Sequence, residues 1–282
     1  MRGIDLDEQK TWLIWPVRLL TVLVWLSTLL FGLYIIAYYL GALPRGEAAE
    51  SWNVVLPDLY DPETPRATAG MAVHLALGAI ILILGPIQLI GGLRRRFPQV
   101  HRWIGRLYIL ASVVTALGGL AFIALRGTVG GLHMTIGFGL YGLLMLGAAI
   151  AAYLYARARK FEIHRDWAIR LFALAIASWL YRMEYGFWYA FTGGEPCEAL
   201  GHNCGFDGWF DMVMSFLFYV PNLIVAELVI RGVFRSPSPA VQILAAIGIF
   251  AAIGLTALGS YMFADILWLP AIQHAFGGPP PR

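Results

Sequence analysis

The chain has 282 residues, of which 59% are hydrophobic and only 13% are charged, whereas an average soluble domain carries about 25% charged residues. The charged residues are concentrated in short segments between apolar stretches that exceed the roughly 20 residues needed to cross a bilayer. This pattern excludes a soluble enzyme, a secreted disulfide scaffold and a disordered chain, and a net charge of +3 without a basic face excludes a nucleic-acid binder.

Seven apolar stretches predict seven membrane-spanning helices, so we expect an all-α polytopic membrane protein whose main partner is the lipid bilayer. We interpret the first stretch as a retained helix rather than a signal peptide, because charged residues precede it and no small-residue cleavage site clearly follows it. In chain order the stretches cover residues 16–41, 68–91, 103–125, 130–156, 165–191, 209–230 and 239–263.

The basic residues between the helices predict the orientation. Most of the 20 Lys and Arg residues fall in segments on the same side as the N-terminus, including the run from Arg94 to Arg96. Because basic loops stay in the cytoplasm, we expect a cytoplasmic N-terminus and an outer C-terminus in a bacterial inner membrane. Cys197 and Cys204 then lie in an outer loop, where an oxidising exterior favours a disulfide over two free thiols.

A two-helix unit occurs twice in tandem. The second and fourth helices begin with His74-Leu-Ala-Leu-Gly78 and His133-Met-Thr-Ile-Gly137, and the third and fifth begin with similar strings at His101 and His164. The repeat predicts a central four-helix bundle with a pseudo-twofold axis along the membrane normal. The predicted divisions are an N-terminal segment with the first helix (1–67), the four-helix core (68–191), an outer loop (192–208) and two peripheral helices with the tail (209–282).

Four histidines form two pairs in this bundle. His74 and His133 lie near the outer face, and His101 and His164 lie near the inner face, each pair on diagonally opposed helices. Two imidazoles that face each other across a bundle axis suit axial ligation of a haem iron. The alternative is that the histidines are interfacial residues, and this alternative has more weight for the inner pair than for the outer pair.

Small residues follow the histidines by one helical turn, on the same helix face. A flat porphyrin needs such space beside its ligand, although close helix packing in membranes also favours small residues. These residues are Gly78, Gly105, Gly137 and Ala168.

Three arginines are candidate partners of haem propionates, because a guanidinium binds a carboxylate through two hydrogen bonds. Arg106 and Arg170 occupy equivalent positions of the repeat near the inner face, and Arg182 lies near the outer end of the fifth helix. The alternatives are that Arg106 and Arg170 extend to the interface and that Arg182 pairs with Glu184.

The four paired histidines resemble those of the transmembrane dihaem b cytochromes of the ascorbate-reducible kind. The local strings resemble a bacterial family of predicted membrane proteins with no assigned function, over a core of about residues 70–190. The resemblance implies two haem b groups, the outer held by His74 and His133 and the inner by His101 and His164. It also implies electron transfer across the membrane, which would make the protein a transmembrane oxidoreductase.

The leading hypothesis is therefore an electron carrier with two haem b groups, or with one at the outer pair only, and with a quinone, ascorbate or a redox protein as partner. The second hypothesis is a haem-free membrane protein: an assembly factor, a partner subunit or a transporter. A third is a divalent metal site formed by one histidine pair with Glu184 or Glu195.

Overall fold

The computed structural model describes residues 11–53, 60, 62–192, 208–235 and 238–278, and within these ranges every regular element is a helix. Six helical segments in this part of the chain are long and apolar enough to cross a membrane. The prediction of an all-α polytopic membrane protein is confirmed. Cys197 and Cys204, the predicted disulfide pair, lie outside the described residues.

Seven helical segments, labelled α1 to α7, follow one another along the described part of the chain. α5 is not among the six long helices because Ile176 interrupts it, and each of its halves is short. Two short helices, Ala48–Trp52 and Gly91–Arg96, lie in the connections that follow α1 and α2. The segments are α1 (Thr11–Tyr34, continued by π-helical Ile35–Leu40 and by Gly41–Arg45), α2 (Pro65–Leu89), α3 (Pro98–Arg126), α4 (Gly131–Arg157), α5 (Phe161–Ala175 and Ala177–Thr192), α6 (Trp209–Leu217 and Val220–Val229, continued by π-helical Ile230–Phe234) and α7 (Pro239–Phe263, continued by π-helical Ala264–Trp268 and by Leu269–Ala275).

The two outermost segments extend further than the sequence predicts. The predicted ends were residues 41 and 263, whereas α1 reaches Arg45 and α7 reaches Ala275. A π-helical stretch precedes the extra residues of α1 and opens those of α7, and local helix distortions of this kind leave no hydropathy signal. Three helices begin with a proline, namely α2 with Pro65, α3 with Pro98 and α7 with Pro239. Proline is favoured in the first turn of a helix, where its missing N–H costs nothing.

The segments α2 to α5 form a closed ring in which α2 packs on α3, α3 on α4, α4 on α5, and α5 on α2. This places α2 diagonal to α4 and α3 diagonal to α5, as in an up-down four-helix bundle. α1, α7 and α6 form a second layer, since α1 packs on α2, α7 packs on α1 and α6, and α6 packs on α4 and α5. α7 also contacts the second half of α5, so α5 lies between the two layers.

The two ends of the bundle differ in charge. One end, here called the arginine-rich end, holds the helix Gly91–Arg96, the start of α3 and the start of α5. The opposite end, here called the far end, holds the starts of α2 and α4. His101 and His164 therefore lie at the arginine-rich end, and His74 and His133 lie at the far end.

Candidate functional site

His164 is held in a defined orientation at the arginine-rich end. Its Nδ1 atom lies 2.8 Å from the carbonyl oxygen of Ala152 on α4. A carbonyl oxygen accepts and cannot donate, so Nδ1 carries the hydrogen, and in the neutral ring Nε2 then keeps its lone pair. A hydrogen bond from Nδ1 to a backbone carbonyl is also what commonly orients a metal-binding histidine.

His101 lies close to His164. His101 lies within electrostatic range of His164 and of the Arg94 cation. The Nδ1 atom of His101 is buried and has no hydrogen-bond partner. The fold thus brings together the inner histidine pair that the sequence predicts, from the diagonal helices α3 and α5.

Two further buried polar atoms without partners lie on the two helices α2 and α3. They are Nε2 of Gln88 and the hydroxyl of Tyr108. His101, Gly105 and Tyr108 lie on one face of α3, and a Cβ on Gly105 would stand 3.0 Å from Oε1 of Gln88. Because an unmet buried polar group costs about 1–3 kcal/mol, such a concentration marks a place where a bound group would supply partners.

The inner site fits a haem by the chemistry of its donors. Two imidazoles come from diagonal helices, and the one on α5 has its tautomer fixed by a backbone carbonyl. Gly105, one turn after the other imidazole, has the Gln88 side chain beside it. Arg94 places a cation near the pair, where a propionate would need one. Haem requires only two protein ligands, so the absence of any group of three or more His, Cys, Asp or Glu side chains among the described residues does not bear on it.

The two inner arginines that the sequence predicts as propionate partners have other neighbours. Arg106 is exposed and its guanidinium lies 4.8 Å from the ring of Trp103. Arg170 donates from Nε to Glu227 on α6 at 2.5 Å and lies over the ring of Trp167. Equivalent repeat positions thus have different surroundings, because α6 packs on α5 and has no counterpart beside α3.

At the far end, His74 and His133 have different surroundings. The His74 side chain is exposed on α2. One turn further along, a Cβ on Gly78 would meet nothing within 4 Å. By contrast, a Cβ on Gly137, one turn after His133, would collide with the backbone of Ser215 on α6.

Gly137 is therefore a packing glycine, and the face of α4 that carries it is turned toward α6. Residues four apart share a helix face, so His133 lies near that face rather than directly opposite His74. His133 also interacts with another group of the protein. Shared ligation by His74 and His133 stays a prediction, with less support than the inner pair has.

Arg182 is not paired with Glu184. The Arg182 guanidinium donates to the carbonyl oxygen of Ser178 and lies 5.5 Å from the ring of Phe31, and its charge also acts on His74. Glu184 lies on another face of α5, since two residues turn a helix by about 200°. Its Oε2 atom is buried without a hydrogen-bond partner.

Two acidic residues that the sequence analysis did not single out connect α5 to α6. Asp166 is only 2% exposed and pairs with Arg235, and Glu227 pairs with Arg170. Both carboxylates lie within or at the edge of apolar segments. Ionisable residues in such segments are costly and usually have a partner or a function, and this signal would have found them.

Comparison with known proteins adds one finding. The model of a family described as predicted membrane protein (DUF2306) matches residues 71–230, more than half of the chain. The chain belongs to this family. The DUF2306 region begins in α2 and ends in α6, so it contains the four-helix ring except the first residues of α2, and all four paired histidines. A search of curated proteins and a search of solved structures found no match.

Proposed function

We propose that the protein is an integral membrane electron-transfer protein that holds a haem b between His101 and His164. The observation that carries this proposal is the hydrogen bond from Nδ1 of His164 to Ala152, because it leaves the Nε2 lone pair of His164 available on α5, within electrostatic range of His101 on α3. When bound, haem b supplies a one-electron couple whose potential depends on its axial ligands and on the polarity of its surroundings.

The chain's own residues have separate roles in this proposal. The carbonyl of Ala152 fixes the tautomer and the ring orientation of His164. Gln88 and Tyr108 provide polar atoms without other partners, and Arg94 provides a cation. The apolar side chains of the ring exclude water, which strengthens these electrostatic interactions.

A second haem at His74 and His133 is a weaker part of the proposal. The exposed side chain of His74 and the open space at Gly78 favour it, whereas the contact of Gly137 with α6 leaves no room on the α4 side. If this second haem binds, His74→Ala would remove about half of the haem absorbance.

A membrane-dissolved quinone is the redox partner with the most structural support. An apolar groove of about 460 Å³ lies between α1 and the α2–α3 connection, and its walls include Trp25, Ile87, Ile90 and Phe97. Phe97 is four residues before His101, so one wall of the groove belongs to the segment that leads into the histidine-bearing start of α3. Ascorbate or a redox protein would instead act from an aqueous face, where no described feature favours either.

The alternative is a haem-free multi-pass membrane protein, such as an assembly factor, a partner subunit or a transporter. One observation favours it: the Gln88 side chain occupies the space beside Gly105 that a porphyrin would need. The two proposals differ in whether Gln88 moves aside when haem is supplied.

The visible spectrum of detergent-purified protein from haem-supplemented cells separates the two. We expect a haem b spectrum in the wild type and its loss in His101→Ala and in His164→Ala. His274→Ala is the matched control, because His274 lies in the last helix of α7 and contacts the carbonyl oxygen of Gly278. A colourless wild type, or a spectrum that survives both inner substitutions, would contradict haem binding at this pair.

A further inference from the structure

Glu184 is an acidic side chain within the helix assembly that the haem proposal leaves unused. It lies in the second half of α5, Ala177–Thr192, which packs on α7. The neighbouring segments α1, α4, α6 and α7 are all long and apolar enough to cross a membrane. Glu184 is eight residues before Thr192, so at 1.5 Å per residue it lies about 12 Å from the end of α5. An acidic side chain at this depth is costly in a membrane protein and usually has a function.

Aromatic rings line the face of α5 that carries Glu184. Tyr181 and Trp188 lie on this face, one turn before and one turn after it. The ring centroid of Tyr181 lies 5.3 Å from that of Phe218 on α6. Trp188 stacks on Phe210, also on α6, with 4.0 Å between the centroids. The surroundings of Glu184 toward α6 are therefore apolar, although its side chain as a whole is only partly buried.

The carboxyl of Glu184 has no partner among the described residues. Its Oε2 atom is buried without a hydrogen bond, and none of the ion pairs in this part of the chain includes it. By contrast, Asp166 on α5 and Glu227 on α6 each pair with an arginine. Arg182, two residues away, donates to the carbonyl oxygen of Ser178 instead. The titratable groups of the surrounding segments also form no hydrogen bond or ion pair with it, namely Tyr34, Tyr38 and Tyr39 on α1, His74 on α2, His133 and Tyr141 on α4, Tyr181 and Tyr185 on α5, Asp211 and Tyr219 on α6, and Tyr261, Asp265 and His274 on α7.

We infer that Glu184 is a proton-binding site within the membrane. An unpaired carboxylate in apolar surroundings is too costly to persist, so the neutral acid is the stable form at neutral pH. Membrane proteins use carboxyls of this kind to take up and release protons. Because the side chain is only partly buried, its proton can exchange with the surroundings. This inference does not depend on a haem at His101 and His164.

The test is the reaction of the full chain in nanodiscs with two carbodiimides, membrane-soluble dicyclohexylcarbodiimide and a water-soluble analogue. A protonated carboxyl gives its proton to a carbodiimide nitrogen while its oxygen bonds to the central carbon, and the adduct rearranges to an N-acylurea without a leaving group. By peptide mass spectrometry, we expect at least about tenfold more label on Glu184 than on Asp166 or Glu227, whose carboxylates stay ionised beside arginines. The label on Glu184 should decrease as the pH rises, because the neutral acid is then lost.

Glu184→Gln provides a second measurement, because an amide has nearly the shape of the neutral acid. It should leave the thermal unfolding midpoint unchanged and should remove the infrared absorption of a protonated carboxyl. Glu47→Gln is the matched control, because it removes an acid that pairs with Arg45 at the end of α1, and it should leave that absorption intact. Label from the membrane-soluble reagent alone would support proton access from the lipid, and label from both reagents would support access from water.

The inference is overturned if neither carbodiimide labels Glu184, or if Glu184 carries no more label than Asp166. It is also overturned if Glu184→Gln lowers the unfolding midpoint as strongly as Asp166→Asn, because Glu184 would then act as a paired carboxylate. The haem spectrum of the same samples reports on His101 and His164 separately, so either proposal can fail without the other.

Discussion

Gly78 and Gly137 occupy matching positions in the tandem repeat, one turn after a histidine, but they face different surroundings. A Cβ on Gly78 would meet nothing within 4 Å, whereas one on Gly137 would lie 2.9 Å from Cβ of Ser215 and closer still to its backbone. The reason is that α6 packs on α4, whereas the space beside Gly78 stays open. A small residue thus marks helix contact at Gly137 and open space at Gly78.

This difference predicts that Gly137→Ala will destabilise the protein by about 1–3 kcal/mol, since the methyl group forces α4 and α6 apart. The free energy of unfolding in mixed micelles measures the effect. Gly139→Ala is the matched control, because Gly139 lies in the same helix and a Cβ there would meet nothing within 4 Å. Equal stability of the two variants would mean that α6 does not pack on this face of α4.

α5 is the element on which both layers of the molecule depend. It packs on α2 and α4 in the ring and on α6 and α7 in the second layer. This position explains why the most polar membrane segment is also among the most buried, with Asp166, Leu171, Trp179 and Met183 each at most 2% exposed. Two of its charged side chains, Asp166 and Arg170, form ion pairs with residues of α6 or directly after it.

The Asp166 ion pairs are predicted to hold α5 against α6. Asp166→Asn would leave Arg235 and Arg165 without their carboxylate. We expect the free energy of unfolding to fall by about 1–3 kcal/mol. This is less than for a fully buried ion pair, because Arg235 is 63% exposed. The same unfolding measurement applies. Glu47→Gln removes a more exposed ion pair with Arg45 and should change stability by less than about 1 kcal/mol. A similar small change for Asp166→Asn would contradict the role of this pair.

For the molecule as a whole, the distribution of arginines between the two ends predicts its orientation. We expect the arginine-rich end in the cytoplasm and Cys197 with Cys204 outside. After treatment with a reductant, a membrane-impermeant maleimide should therefore label these cysteines in intact cells as fully as in lysed cells. Labelling only after lysis would reverse the orientation and place the inner histidine pair outside.

The sequence predicts the membrane segments well, because long apolar runs bounded by charged residues leave few alternatives. It also predicts which histidines share an end, since that follows from the alternating direction of the helices. It does not predict which way each helix face is turned. Whether Arg170 faces a cofactor or Glu227 depends on where α6 packs, and no local pattern records that contact.

The same limit explains the ranking of the two histidine pairs. The depth of each histidine along its helix favours the outer pair as the haem site, whereas the packing of the helices favours the inner pair. The hydrogen bond from His164 to Ala152 joins residues 12 apart across the α4–α5 turn and depends on how α4 and α5 pack, so hydropathy and spacing do not reveal it.

Electron paramagnetic resonance of the oxidised protein from haem-supplemented cells tests the central claim most directly, namely that His101 and His164 share one haem iron. We predict a low-spin ferric signal typical of two imidazole ligands, replaced by a high-spin signal or lost in His101→Ala and in His164→Ala. A wild type without a haem signal would contradict the claim. So would a low-spin signal that persists in both variants and disappears in His74→Ala.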